Sequence, residues 1–117
     1  MTTQMVNPVI PAGEVLSSAV DCSTGQIVRI TMPPEWTSAN MTFQVSSDGN
    51  FFNDLYDIKG EETTLRDFKP GTSVVLQGTL PRGLGFVKIR SGTRTHPVPQ
   101  QAQREFAVTI NTAVVAD

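Results

Sequence analysis

The chain has 117 residues and a mass of 12.7 kDa, with 38% apolar and only 17% charged residues, which suits one hydrophobic core and leaves no room for a second. A net charge of −2 and a pI near 5.3 argue against general nucleic-acid or anionic-membrane binding, which draws on a strongly basic surface. No apolar run reaches the roughly 18 residues of a membrane span, and the start MTTQMVNPVIPAGE lacks a basic region with a continuous apolar stretch behind it, so a soluble, unexported protein is expected.

Segment 1–11, apolar and proline-bearing, is expected as an arm, followed by a single domain over 12–112 and a fraying tail at 113–117. Eight prolines and nine glycines recur throughout, so short extended elements must dominate over helices. Cys22 lies in Asp21-Cys22-Ser23-Thr24-Gly25, which reads as a turn after a strand. As the only cysteine it excludes an internal disulfide and fits a reducing cytoplasm. Gln26 to Met32 is expected as a strand with Val28, Ile30 and Met32 on one face and Arg29 and Thr31 on the other, stopped by Pro33-Pro34. Between Pro34 and Asn40 there is room for one helical turn, with Trp36 placed to plug an end of the core.

Met41 to Ser46 alternates Met41, Phe43 and Val45 with Thr42, Gln44 and Ser46, the period of a half-buried strand. Ser47-Asp48-Gly49-Asn50 then turns the chain into Phe51 to Tyr56, a β-hairpin. After the Lys59-Gly60 turn, Glu62 to Arg66 is expected as a short strand ending before Pro70-Gly71. Ser73 to Gln77 follows as a strand, then the glycine-rich loop Leu80 to Gly85. In Phe86 to Arg90, Val87 and Ile89 point inward and Phe86, Lys88 and Arg90 share the opposite face. Thr93 to Gln103 reads as a loop or extended arm, and Glu105 to Asn111 as the last strand, with Phe106, Val108 and Ile110 alternating. Seven or eight strands without βαβ alternation predict an all-β, antiparallel, jelly-roll-like β-sandwich with little or no helix, a small barrel being the competitor.

Reactive constellations are sparse. His96, the single histidine, precedes Pro97 in a polar loop and has no Gly-x-Ser-x-Gly partner, so a catalytic triad has weak support. Asp54 and Asp57, three apart in a strand, fall on opposite faces, and the adjacent Glu61 and Glu62 likewise diverge. One Cys and one His cannot supply a four-ligand zinc site. Asp48-Gly49-Asn50 with Asn53 and Asp54 offers oxygens to calcium but breaks the EF-hand pattern, and a plain turn explains it. The sequon Asn40-Met41-Thr42 needs a secretory route. Sugar binding would call on Trp36 or Tyr56, both read more simply as core or rim residues. We therefore expect no enzyme, no cofactor and no metal.

The near-neutral total hides two opposed regions. Asp48 to Asp67 holds six acids against Lys59 and Arg66, a balance of −4, while Arg82, Lys88, Arg90, Arg94 and Arg104 give +5 without an acid among them. Either these charges solvate outer strand faces, or opposite patches favour head-to-tail contact between copies or docking on a charged partner. On the second reading, Phe86 exposed between Lys88 and Arg90, with Arg82 and Arg94 nearby, is the candidate interface. Nucleic acid ranks below protein as its partner.

Ile10-Pro11-Ala12-Gly13-Glu14, Ile30-Thr31-Met32-Pro33-Pro34-Glu35-Trp36-Thr37, Thr42-Phe43-Gln44-Val45-Ser46-Ser47-Asp48-Gly49, Asp54-Leu55-Tyr56-Asp57 and Val87-Lys88-Ile89-Arg90-Ser91-Gly92-Thr93 follow in order from about Ile10 to Pro99. Together they resemble small proteins encoded in the structural clusters of tailed phages and prophages. That resemblance implies a virion component made in a bacterial cytoplasm: a capsid decoration or cement protein, or a tail or fibre accessory. It further implies a homo-oligomer, a trimer on the symmetry of capsids, contacting the major capsid protein or other virion proteins. It carries no catalytic residues over.

Overall fold

Alternating apolar residues become paired strands along most of the chain in the computed structural model, which describes residues 2–66, 68–76 and 78–112. Ten strands form: β1 (Thr3–Val6), β2 (Val9–Ile10), β3 (Val20–Cys22), β4 (Gln26–Thr31), β5 (Met41–Ser46), β6 (Asn53–Asp54), β7 (Ser73–Val75), β8 (Gly85–Ser91), β9 (Arg104–Glu105) and β10 (Ala107–Asn111). No helix occurs among the described residues, and Pro34 to Asn40 is irregular where a helical turn was expected.

The pairing is nested. β1 pairs with β10, β2 with β9, β3 with β8, β4 with β7 and β5 with β6, all antiparallel. The chain thus behaves as one long hairpin closed at the β5–β6 turn. Wrapping that hairpin lets β10 also pair with β4 and β8 with β5, giving two four-stranded sheets, β1-β10-β4-β7 and β3-β8-β5-β6, with β2-β9 as a short link between them. This is the jelly-roll form of the antiparallel β-sandwich.

Both sheets give their inner faces to one core. Ile27, Ile30, Val108 and Ile110 enter it from one side, and Val20, Met41, Phe43, Val87 and Ile89 from the other, all essentially without solvent exposure. Each such side chain contributes roughly 1.5–3 kcal/mol through removal from water. Trp36 closes one end as its sequence position suggests: it meets Phe106 edge-on with ring centroids 5.6 Å apart, and its Nε1 donates to the Ala39 carbonyl at 3.3 Å.

Several elements differ from expectation for identifiable reasons. Segment 1–11, expected to project as an arm, supplies β1 and β2 to the sheets; Met1 lies outside the described residues. In β4 a bulge opposite Thr109 and Ile110 leaves Val28 as an extra residue, so Ile27 takes the inward place and Val28 turns to the outer face. Glu62 to Arg66 forms only isolated bridges, Tyr56 to Glu62 and Met41 to Leu65, and Phe51 to Tyr56 keeps only β6 as a ladder. Phe106 breaks the last predicted strand into β9 and β10, its N–H turning to the Pro8 carbonyl. The expected end of the strand at Gln77, the acid Asp67 and the tail 113–117 lie outside the described residues.

Candidate functional site

The outer face of the β3-β8-β5-β6 sheet carries the residues singled out above. Phe86, Lys88 and Arg90 do share one side of β8, opposite Ser46, Gln44 and Thr42 of β5. They are not an open strip, however, because loops fold back over them. The Phe86 ring stands close enough to Gly49 that a Cβ there would touch it at 3.5 Å. Lys88 places its ammonium 4.4 Å from the Phe52 ring centroid, a cation–π contact worth roughly 0.5–1 kcal/mol near a surface.

Arg90 departs most from expectation, being only 6% exposed. Its Nη1 donates to Asp54 Oδ1 at 2.6 Å, its Nη2 to Glu62 Oε2 at 2.5 Å and its Nε to Thr42 Oγ1 at 2.9 Å. Thr42 passes the network on by donating to the Gly92 carbonyl at 2.7 Å. Glu62 also accepts the Arg94 N–H at 3.0 Å, and Arg94 Nε reaches Asp54 Oδ2 at 3.3 Å. A planar guanidinium with five donors suits this convergence, which an ammonium would not match. Asp54 and Glu62 of the acidic segment are thus paired with Arg90 and Arg94 of the basic segment inside a single chain.

Gly92 makes the network possible. It ends β8 at a φ of 91°, a conformation L side chains rarely adopt, and a Cβ there would collide with the His96 carbonyl. Burial pushes the Asp54 carboxyl up, but hydrogen bonds from Arg90 and Gln44 and the charges of Arg90 and Arg94 outweigh it and hold the group below its ordinary range. The Arg94 guanidinium is raised, first by its hydrogen bond to the Tyr56 hydroxyl and then by Tyr56 and Asp54 charge.

The remaining candidates are placed singly. Arg82 is exposed and donates to the carbonyls of Thr24 at 3.2 Å and Asn111 at 3.4 Å, tying the turn between β3 and β4 to the end of β10. His96 is exposed, with Nδ1 3.0 Å from Thr95 Oγ1. Cys22 is buried in β3, where loss of hydration and then the charge of Asp21 push its thiol up to about 11. Asp48 Oδ1 accepts from Asn50 N at 2.8 Å, Phe51 N at 3.0 Å and Ser46 Oγ at 2.9 Å, and these bonds, those of Phe51 and Asn50 foremost, lower its carboxyl to about 2. That oxygen organises the turn expected at Ser47 to Asn50. Asp57 is exposed and caps its own turn through the N–H groups of Lys59 and Glu61. Among the described residues no three of His, Cys, Asp and Glu gather as a metal-binding group. In the sequon, the Thr42 hydroxyl is buried within the Arg90 network.

Sequence reasoning missed the pairing of Asp54 with Glu62. Spacing along the chain compares Asp54 with Asp57 and Glu62 with Glu61, whereas the partner of both Asp54 and Glu62 is Arg90, which lies on a strand distant in sequence. It also missed Gln100, fully buried, which holds Thr37, Ser91 and Arg104 through four hydrogen bonds of 2.7–3.0 Å.

The other outer face, on β1-β10-β4-β7, is left largely uncovered by the described residues. One rung crosses all four strands as Met5, Thr109, Arg29 and Val75. Met5 is 51% and Val75 63% exposed. With Thr3 and Val28 they line a shallow depression of about 370 Å³ in which Arg29 is the one charged residue. No protein-family model matches the chain, and neither a curated protein nor a solved structure is similar to it at a significant level.

Proposed function

We propose that this protein is a non-enzymatic structural component of a tailed-phage particle, a capsid decoration or cement protein that stabilises the head through protein–protein contacts. The observation that carries the reading is the outer face of β1-β10-β4-β7, which leaves Met5 and Val75 exposed beside a half-buried Val28, with Arg29 as the single charge lining their depression. Such a surface suits burial against another polypeptide. The jelly roll is also an architecture that capsid domains use, an argument by analogy. Binding only to the assembled shell would stabilise that shell by mass action.

Mass spectrometry of separated heads and tails is the deciding experiment. Recovery with heads is expected, and recovery with tails alone or with neither removes the decoration role. A second reading, a glycan-recognising accessory of tail or fibre, draws on Tyr56. The residue is 43% exposed beside Arg94 and next to a polar cavity of about 340 Å³ lined in part by Asp57, Glu61 and Thr63. A glycan array without hits would set this reading aside.

A further inference from the structure

We infer that copies of this chain join edge to edge, β1 of one copy adding to the open edge of β7 in the next. The inference takes the β1-β10-β4-β7 sheet as a contact surface from the reading above, but it needs no shell.

The edges of the two sheets are guarded differently. In the covered sheet, β3 carries Asp21 and β6 is two residues long with Asp54, the short and charged edges that keep strands from pairing with strangers. In the bare sheet, β1 reads Thr-Gln-Met-Val and β7 reads Ser-Val-Val. Neither has a charge or a proline, and an uncharged open edge is a template for another strand.

Polarity and hydrogen-bonding parity agree with the join. Every neighbour pair in this sheet is antiparallel, so its two edge strands run in opposite directions. A copy set beside the first, with the same face outward, therefore brings its β1 antiparallel to β7. The bonds Thr112 N to Thr2 O and Phe106 N to Pro8 O show that even positions of β1 face β10, and Met32 N to Thr72 O and Leu76 N to Val28 O show that even positions of β7 face β4. Odd positions therefore turn their backbone groups to the open edges: Thr3 and Met5 on one, Ser73 and Val75 on the other. These are also the positions whose side chains lie on the outer face. Met5 of one copy and Val75 of the next can thus form one hydrogen-bonded pair with both side chains outward.

That pairing accounts for the two exposed apolar residues of the sheet at once. Met5 and Val75 end the same rung at opposite edges, and head-to-tail joining makes them cross-strand neighbours. Pairing like edges about a two-fold axis would leave them in separate contacts. A groove of about 520 Å³, lined by Leu65, Phe68 and Val74 together with Arg66 and Lys69, includes the β7 residue Val74 and would be narrowed by the arriving strand. Unlike edges generate a ring when the rotation closes and a filament when it does not.

Two single-cysteine variants, Met5→Cys and Val75→Cys, test the join, since both sites are exposed and the native Cys22 is buried. Paired residues in an antiparallel ladder lie about 4.5–5.5 Å apart at Cα, within disulfide reach. Mild oxidation of an equal mixture should give a cross-linked dimer, while each variant alone stays single. Cross-linking of Met5→Cys with Ser73→Cys instead also supports the join, with the register moved by two residues. In sedimentation the unmodified chain should exceed monomer mass, and Val75→Lys should raise the midpoint concentration at least about tenfold. A strictly monomeric unmodified chain at the highest soluble concentration, or cross-linking of Met5→Cys with itself, overturns the inference. A chain that joins in this way but is absent from particles keeps the edge contact and removes the virion reading; a monomer recovered on shells does the reverse.

Discussion

The two sheets bury equivalent inner faces and end in opposite outer ones. On β3-β8-β5-β6, the loops after β5 and β6 return over the strands, so Phe86 meets Gly49, Lys88 meets Phe52 and Arg90 is clamped by Asp54 and Glu62. On β1-β10-β4-β7 no loop among the described residues returns over the Met5 to Val75 rung, and Met5, Arg29 and Val75 stay exposed. The difference teaches where each face's free energy goes. The covered face stabilises the fold through groups that satisfy one another, whereas the bare face retains apolar surface whose burial awaits a partner.

The largest expected effect breaks the covered face. Arg90→Met should lower the stability measured by urea unfolding by about 2–4 kcal/mol, because it leaves two carboxylates facing each other without their cation; the loss falls below that of a fully buried triad since both acids keep some water. Adding Asp54→Asn and Glu62→Gln to that variant should recover part of the loss. No recovery would mean that the packing of the arginine stem, and not its charge, holds the face together.

Acid should weaken the same face next. Asp48 at about 2, and Asp54 in direction, sit below the ordinary carboxylate value of 3.8. A depressed folded-state pKa gives stability that is fully present above the unfolded value and is lost as pH falls through the folded one. Thermal melting should therefore drop between about pH 4 and pH 2, and Asp54→Asn should flatten that drop. An unchanged slope in the variant would detach Asp54 from the acid response.

Lys88→Ala should cost less, about 0.5–1 kcal/mol, through loss of the Phe52 contact, and raised salt should leave most of that difference in place. The smallest stability effect is expected on the bare face, where Met5→Lys and Val75→Lys should each shift unfolding by no more than about 0.5 kcal/mol while weakening binding to particles. A large destabilisation by either would show that this face serves the fold and not a partner.

Much of the fold was legible in the residues. Alternation in Met41 to Ser46, Phe86 to Arg90 and Phe106 to Ile110 fixes which side chains enter the core, because a strand's period of two leaves no other way to bury them together. Turn residues such as Asp48-Gly49-Asn50 mark where the hairpin closes. The candidate site was legible only in part. Phe86, Lys88 and Arg90 do lie on one side of β8, yet nothing in their spacing says whether loops fold over that side. The bulge at Val28 has no signature in the spacing for a similar reason, since a bulge depends on the opposing strand.

By itself, then, the sequence determined local matters: extended segments, their apolar faces, the turns between them and Trp36 as an end plug, all governed by contacts between near neighbours. Only the tertiary structure decided that Arg90 would join Asp54 and Glu62, that segment 1–11 would complete the sheets, and that one outer face would be covered and the other left open. Those outcomes depend on which distant strands become adjacent when the nested hairpin wraps, and charge or alternation along the chain carries no record of that wrapping.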